Sequence, residues 1–117
     1  MSGSVTVTTD LREGLRDCDV VYSDVWVSMG EENLVEERSN LLGPYRITPD
    51  VMRLTGKWET IYLHCLPALH NLDTEFARDH PDILEVDEEV FEGSQSRVFD
   101  QAENRMHTIK ALMVATV

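Results

Sequence analysis

Two short apolar runs constrain this chain more than any other feature. Asp19-Val20-Val21-Tyr22-Ser23-Asp24 and Ile61-Tyr62-Leu63-His64 both read as strands, and a long stretch with helical signals lies between them. Strands joined through helices pair in parallel. The Val20-Val21-Tyr22 run is apolar without alternation, which suits a strand buried in a parallel sheet. The resulting class is α/β: a partial, mainly parallel sheet flanked by helices, with a long helix at the C-terminus.

The other segments fit that alternation. Val5-Thr6-Val7-Thr8 has β-branched density and reads as a short strand. Thr9-Asp10 can cap a helix reaching about Asp17, with Glu13 at the capping-box position. Glu31 to Leu42 reads as a helix with Leu34, Val35, Leu41 and Leu42 inward, and Gly43-Pro44 stops it. Thr48-Pro49 opens another short helix that buries Val51 and Leu54. A weak helix falls at Thr74 to Asp79, a short strand at Ile83-Leu84-Glu85-Val86, and Asp87 caps Glu88 to Phe91. The last helix spans Ser96 to Thr116. Its Phe99, Ala102, Met106, Ile109 and Met113 draw one apolar stripe. Val98, Leu112 and Ala115 form a second apolar group, more than a small sheet can cover, so the chain reads as part of something larger.

At 117 residues the chain suits one domain. Its net charge of −12, from 22 acidic and 10 basic residues, argues against nucleic acid and anionic membrane surfaces as partners. The acidic clusters at Glu31-Glu32, Glu36-Glu37 and Glu85 to Glu92 lack metal-loop spacing and read as solvated faces. Cys18 and Cys65 follow no metal spacing, and His64, His70, His80 and His107 match no ligand pattern. Neither a signal-like start nor a run of about 18 apolar residues occurs, so a reducing cytoplasm is expected. Residues 1–4 read as a tag remnant or disordered start, 5–95 as a partial domain, and 96–117 as the terminal helix.

Three blocks carry the chemistry. Asp24 ends the first strand, and Ser28, Met29 and Gly30 follow in a loop. A carboxylate, a hydroxyl and a backbone N–H so close together can bind a zwitterionic amino acid; the same residues also suit an ordinary strand-to-helix turn. Cys65 follows the second strand and precedes Leu66-Pro67, where proline restricts the backbone and allows a cis bond. Its thiol suits a ligand contact or a proton relay, or simply a small buried hydrophobe. A Cys65–His64 nucleophile pair is disfavoured, because neighbours on a strand point to opposite faces. Arg105 lies on the terminal helix beside the apolar stripe. It can offer its fork of donors to a carbonyl or a phosphate, or pair on the surface with Asp100 or Glu103.

Together the blocks resemble ornithine carbamoyltransferases. Asp24-Val25-Trp26-Val27-Ser28-Met29-Gly30-Glu31, His64-Cys65-Leu66-Pro67-Ala68 and Phe99-Asp100-Gln101-Ala102-Glu103-Asn104-Arg105 stand in that family's order and at its intervals. Val90-Phe91-Glu92 and Ser96 are also similar, and Met106 to Ala111 resembles the bacterial, catabolic type. The Ser-Met-Gly wording separates ornithine enzymes from aspartate, putrescine and acetylornithine relatives. The family's Ser-Thr-Arg-Thr-Arg and His-Pro-x-Gln segments do not occur here. The resemblance therefore implies the later part of an ornithine-binding domain plus the C-terminal helix, which in the family crosses to an N-terminal carbamoyl phosphate domain.

By the same resemblance, Asp24, Ser28 and Met29 would bind ornithine. Cys65, Leu66 and Arg105 would bind carbamoyl phosphate, and Cys65, Arg105 and Asp24 would carry the chemistry. No metal or organic cofactor is implied, and the full enzyme would be a trimer-based homo-oligomer. A non-catalytic amino-acid-binding or interaction module is the alternative reading.

Overall fold

The structure is a computed structural model that describes residues 3–28 and 30–117. Strands β1 (Val20–Ser23) and β2 (Ile61–His64) pair in parallel, in the register Val20↔Ile61, Val21↔Tyr62, Tyr22↔Leu63 and Ser23↔His64. On its other edge β2 meets a bridge at Ser96: Tyr62 N–H donates to Gln95 O, and Arg97 N–H donates to Tyr62 O. Tyr62 is thereby paired on both sides and fully buried.

Short helices surround this ribbon, and local chemistry starts them. Helix α1 (Leu11–Leu15) is capped by Asp10, whose carboxylate accepts from the Arg12 and Glu13 N–H groups. Glu13 accepts from the Thr8 hydroxyl at 2.8 Å, so it serves the turn in front of the helix. A 3₁₀ turn (Glu32–Leu34) leads into α2 (Val35–Leu42), which buries Val35 and leaves Leu41 exposed. Helix α3 (Pro49–Arg53) has Thr48 as its cap and proline in its first turn. Its buried residue is Met52, while Val51 and Leu54 are only half-buried. Helix α4 (Glu75–Asp79) is capped by Thr74. Asp87 precedes α5 (Glu88–Phe91), but its carboxylate pairs with Arg46 at 2.6 Å and not with the helix N–H groups.

Two expected strands are absent. Residues 5–8 form no ladder, and Val5 and Val7 are exposed. β-Branched density favours a strand only where a partner edge and a covered face exist, and none among the described residues reaches this segment. Ile83 ends a 3₁₀ turn (Pro81–Ile83), and Val86 forms only an isolated bridge to Ile47. The segment is nonetheless wholly interior, with residues 83–86 all buried. The clearest correction falls on Glu85, read as part of a solvated acidic face: the residue is 1% exposed.

The main core joins Val21, Ile47, Met52, Tyr62, Val86, Val90, Phe91 and Val98. A second cluster gathers Trp26, Val35 and Ile83. The long helix α6 (Val98–Thr116) is tied to the body by its first turn. Val98 is fully buried, Phe99 meets Phe91 edge to face at 5.7 Å, and Gln101 Oε1 accepts from the His64 N–H. Beyond Gln101 every residue of α6 is exposed, the apolar stripe included. The radius of gyration, 16.1 Å, exceeds the roughly 13 Å expected of a compact chain of this length, in keeping with a projecting helix. No helix among the described residues is long and apolar enough to cross a membrane.

Burial differences predict a contrast in stability. Ile83→Ala removes a fully buried side chain and should cost about 2–5 kcal/mol. Leu112→Ala, at 63% exposure, should stay within about 0.5 kcal/mol. Urea unfolding of both variants checks this; equal losses would mean that α6 packs on the body along its length.

Candidate active site

The register of the sheet assembles the site. Ser23 lies opposite His64, so the residues that follow, Asp24 and Cys65, leave the two strands side by side at their C-terminal ends. That edge of a parallel sheet is where α/β proteins bind ligands. The Cys65 thiol donates to Asp24 Oδ1 at 2.7 Å, and the Val25 N–H donates to the same oxygen at 2.7 Å.

These contacts set the protonation of the pair. The hydrogen bond from Cys65 holds the Asp24 carboxyl below its ordinary range, with the Val25 N–H adding to it. Burial pushes the Cys65 thiol up, and the bond to Asp24 pushes it the same way. The physical result is an ionised carboxylate facing a protonated thiol. A thiol held this way donates a hydrogen bond and is not a ready thiolate nucleophile.

A cleft of about 1080 Å³ opens beside this pair, between the end of β2 and the first half of α6. Cys65, Leu66, Pro67, Gln101, Asn104 and Arg105 line it. The structure thus brings Cys65, Leu66 and Arg105 to one cavity, and Asp24 joins through its contact with Cys65. Among the described residues the Arg105 guanidinium has no ion pair or hydrogen bond; Glu103, a candidate partner, lies 3.5 Å from His107. Ser28 is exposed and does not line the cleft; its N–H donates to Glu31 Oε2 at 3.2 Å. Met29 lies outside the described residues. Among the described residues no group of three His, Cys, Asp or Glu side chains is placed to hold a metal ion.

The loop after β2 departs from simple strand geometry. The Leu66–Pro67 peptide is cis, and Leu66 has φ 56°. His64 is the last strand residue, so face alternation no longer governs Cys65, and Sγ lies 4.0 Å from His64 Nδ1. That nitrogen already accepts from the Leu66 N–H at 2.9 Å, so it is not free to act as a base for the thiol. Two residues around the loop escaped the reading by residue type. Gln101 fastens α6 to β2, and Glu85 accepts from the Leu69 N–H at 2.6 Å. The signal for Glu85 was its place between Leu84 and Val86, a lone carboxylate inside an apolar run.

The chain resembles known carbamoyltransferases along nearly its whole length. Residues 1–116 match the family model described as aspartate/ornithine carbamoyltransferase, Asp/Orn binding domain. Identity is 60% over 116 residues with ornithine carbamoyltransferase 2, phaseolotoxin-insensitive, of Pseudomonas syringae pv. actinidiae, covering 99% of this chain and 36% of that protein. It is 51% over 120 residues with ornithine carbamoyltransferase 2, catabolic, of Staphylococcus epidermidis, covering 98% and 36%. The solved ornithine carbamoyltransferase from Pyrococcus furiosus superposes with a TM-score of 0.71 at 36% identity, over 89% of this chain and 29% of that one. The chain therefore spans 36% of the length of these curated relatives. From its paired strands to its terminal helix, this chain belongs to the aspartate/ornithine carbamoyltransferase family, whose Asp/Orn binding domain its residues 1–116 match.

Proposed function

We propose that the chain supplies the ornithine half of an ornithine carbamoyltransferase site, in which the ornithine δ-amine attacks carbamoyl phosphate to give citrulline and phosphate. The observation that carries this reading is the Asp24–Cys65 contact at the sheet edge, open to a cleft that Arg105 also lines. The family match and the names of the relatives support it.

Asp24 holds the ornithine ammonium end and orients the δ-amine, and Ser28 with the Met29 N–H takes the amino-acid carboxylate. Cys65 lies beside the δ-nitrogen, where thiol and carboxylate give its proton a path. The Cys65 and Leu66 carbonyls accept from the carbamoyl amide. As the new C–N bond forms, negative charge grows on the carbamoyl oxygen, and Arg105 meets it. The C–O bond to phosphate then breaks and phosphate leaves with its electron pair. Alignment of the two substrates and this charge stabilisation supply most of the rate gain. The substrate's phosphate is held by a carbamoyl phosphate domain that α6 packs against, within a trimer-based homo-oligomer in the cytoplasm.

The 117-residue chain alone should form no citrulline above a Cys65→Ala control, since the phosphate-binding Ser-Thr-Arg-Thr-Arg segment does not occur in it. A colorimetric citrulline assay with both substrates decides this, and turnover by the pure chain would overturn the division of labour.

Thiol titration tests the pair itself. In a Cys18→Ser background, the pH at which Cys65 becomes alkylated by iodoacetamide should lie above that of a free cysteine, because burial and the Asp24 contact both favour the thiol. Asp24→Asn removes the negative charge and should move that midpoint down. An unmoved midpoint would show that Asp24 does not face the sulfur.

Kinetics of the full-length protein carrying this domain separate the two charged roles. Arg105→Leu should lower kcat by about 100- to 1000-fold with little change in the ornithine KM, because its partner charge appears only in the transition state. Asp24→Asn should raise the ornithine KM as well, because the ammonium is present in the ground state. Near-normal turnover in Arg105→Leu would return that arginine to the surface.

A further inference from the structure

His64 and Glu85 are each 1% exposed, and neither has a part in the chemistry above. A carboxylate withdrawn from water needs donors, and Glu85 finds one in the Leu69 N–H at 2.6 Å. The same Oε1 lies 3.3 Å from His64 Nε2, close but misaligned for a hydrogen bond. His64 Nδ1 accepts from the Leu66 N–H, so by the hydrogen-bond pattern the ring proton sits on Nε2, facing Glu85. The two buried side chains thus grip the loop after β2 at two backbone N–H groups, Leu66 and Leu69.

Between those grips the backbone takes a conformation it would not choose. Leu66 sits at φ 56°, the left-handed region that disfavours residues bearing a Cβ. Such a residue stays there only when its surroundings over-determine it. The base of the grip is firm: the Ile47 N–H donates to Glu85 O and the Asp87 N–H donates to Ile47 O, both at 2.9 Å, and Val86 belongs to the main core.

We propose that His64 and Glu85 are positioning residues, a buried clamp that fixes the 65–69 loop so that the Cys65 thiol and the Cys65 and Leu66 carbonyls face the cleft. The inference rests on the function proposed above for what the loop presents, but the clamp itself can be read without any substrate. What the Leu69 N–H takes from Glu85 is an acceptor oxygen. Glu85→Gln can therefore keep its oxygen on Leu69 and place its amide nitrogen where Oε2 has no partner among the described residues. Glu85→Leu fills similar space and offers no acceptor.

Two measurements test this. The first is site-resolved hydrogen–deuterium exchange in the 117-residue chain. The Leu66 and Leu69 amides should exchange at least about tenfold faster in Glu85→Leu, while amides of β1 and β2 keep their protection and Glu85→Gln behaves as wild type. The second is turnover of the full-length protein. Glu85→Leu should lower kcat about tenfold to a hundredfold, as misplacement of reacting groups by an ångström does, and Glu85→Gln should retain most of it. If Glu85→Leu does not fold, Glu85→Asp, which draws the carboxylate back by one methylene, must show the same local loss. Protected Leu66 and Leu69 amides in a folded Glu85→Leu or Glu85→Asp chain would overturn the clamp, as would a Glu85→Gln variant as impaired as Glu85→Leu. Amide loss without loss of turnover would overturn its role in positioning. A wild-type full-length protein with no carbamoyl transfer would instead overturn the function proposed above, and amide exchange would still decide the clamp.

Discussion

The in-register parallel pairing of β1 and β2 is the constraint on which the rest depends. It is short, four residues on each side. Yet it fixes which residues leave the sheet together. A slip of one residue would turn every side chain to the opposite face and part Asp24 from Cys65. The pairing also sets where α6 begins, because the second edge of β2 receives Gln95 and Arg97 through Tyr62. One tyrosine backbone thereby links the Asp24–Cys65 edge to the helix that carries Arg105. Tyr62 is fully buried, and its hydroxyl lies 2.7 Å from the Ser23 hydroxyl, a further tie between the strands just before the site.

The electrostatics of the site follow from its shallow depth. Asp24 is exposed, so solvent helps to keep it ionised, while Cys65 is half-buried and loses more by ionising. A hydrogen bond between a group that prefers charge and one that avoids it drives the two further apart in proton affinity. The Val25 N–H on the same oxygen adds to the carboxylate's preference for charge.

Much of the fold was legible because its signals are local. Asp10, Thr48-Pro49 and Thr74 start helices through contacts within three residues, and those contacts exist in any tertiary setting. The two strands were legible as dense apolar runs. What was not legible depends on partners far along the chain. Val5 to Thr8 has strand-forming residues and no edge to join. Glu85 looks like its acidic neighbours by composition, and the Leu69 N–H that meets its buried carboxyl lies far back along the chain. For the site, the wording of three motifs named Asp24, Cys65, Leu66 and Arg105, but residue types alone left ordinary structural roles open for each. The juxtaposition of Asp24 with Cys65 required the strand register. Ser28 does not line the cleft, and its N–H is turned to Glu31.

Helix α6 carries Arg105 beyond the point where the body holds it. Its first turn is embedded through Val98 and Gln101, and from Ala102 onward every residue is exposed. Exposed helical segments gain little stability per residue in water and draw most of it from packing. The arginine's place at the cleft therefore depends on α6 staying wound through residue 105. A surface that covered the apolar stripe would favour the wound helix and with it the arginine's position. Docking along the far end of α6 would in this way act as a gain control on a charge several turns away, without touching it.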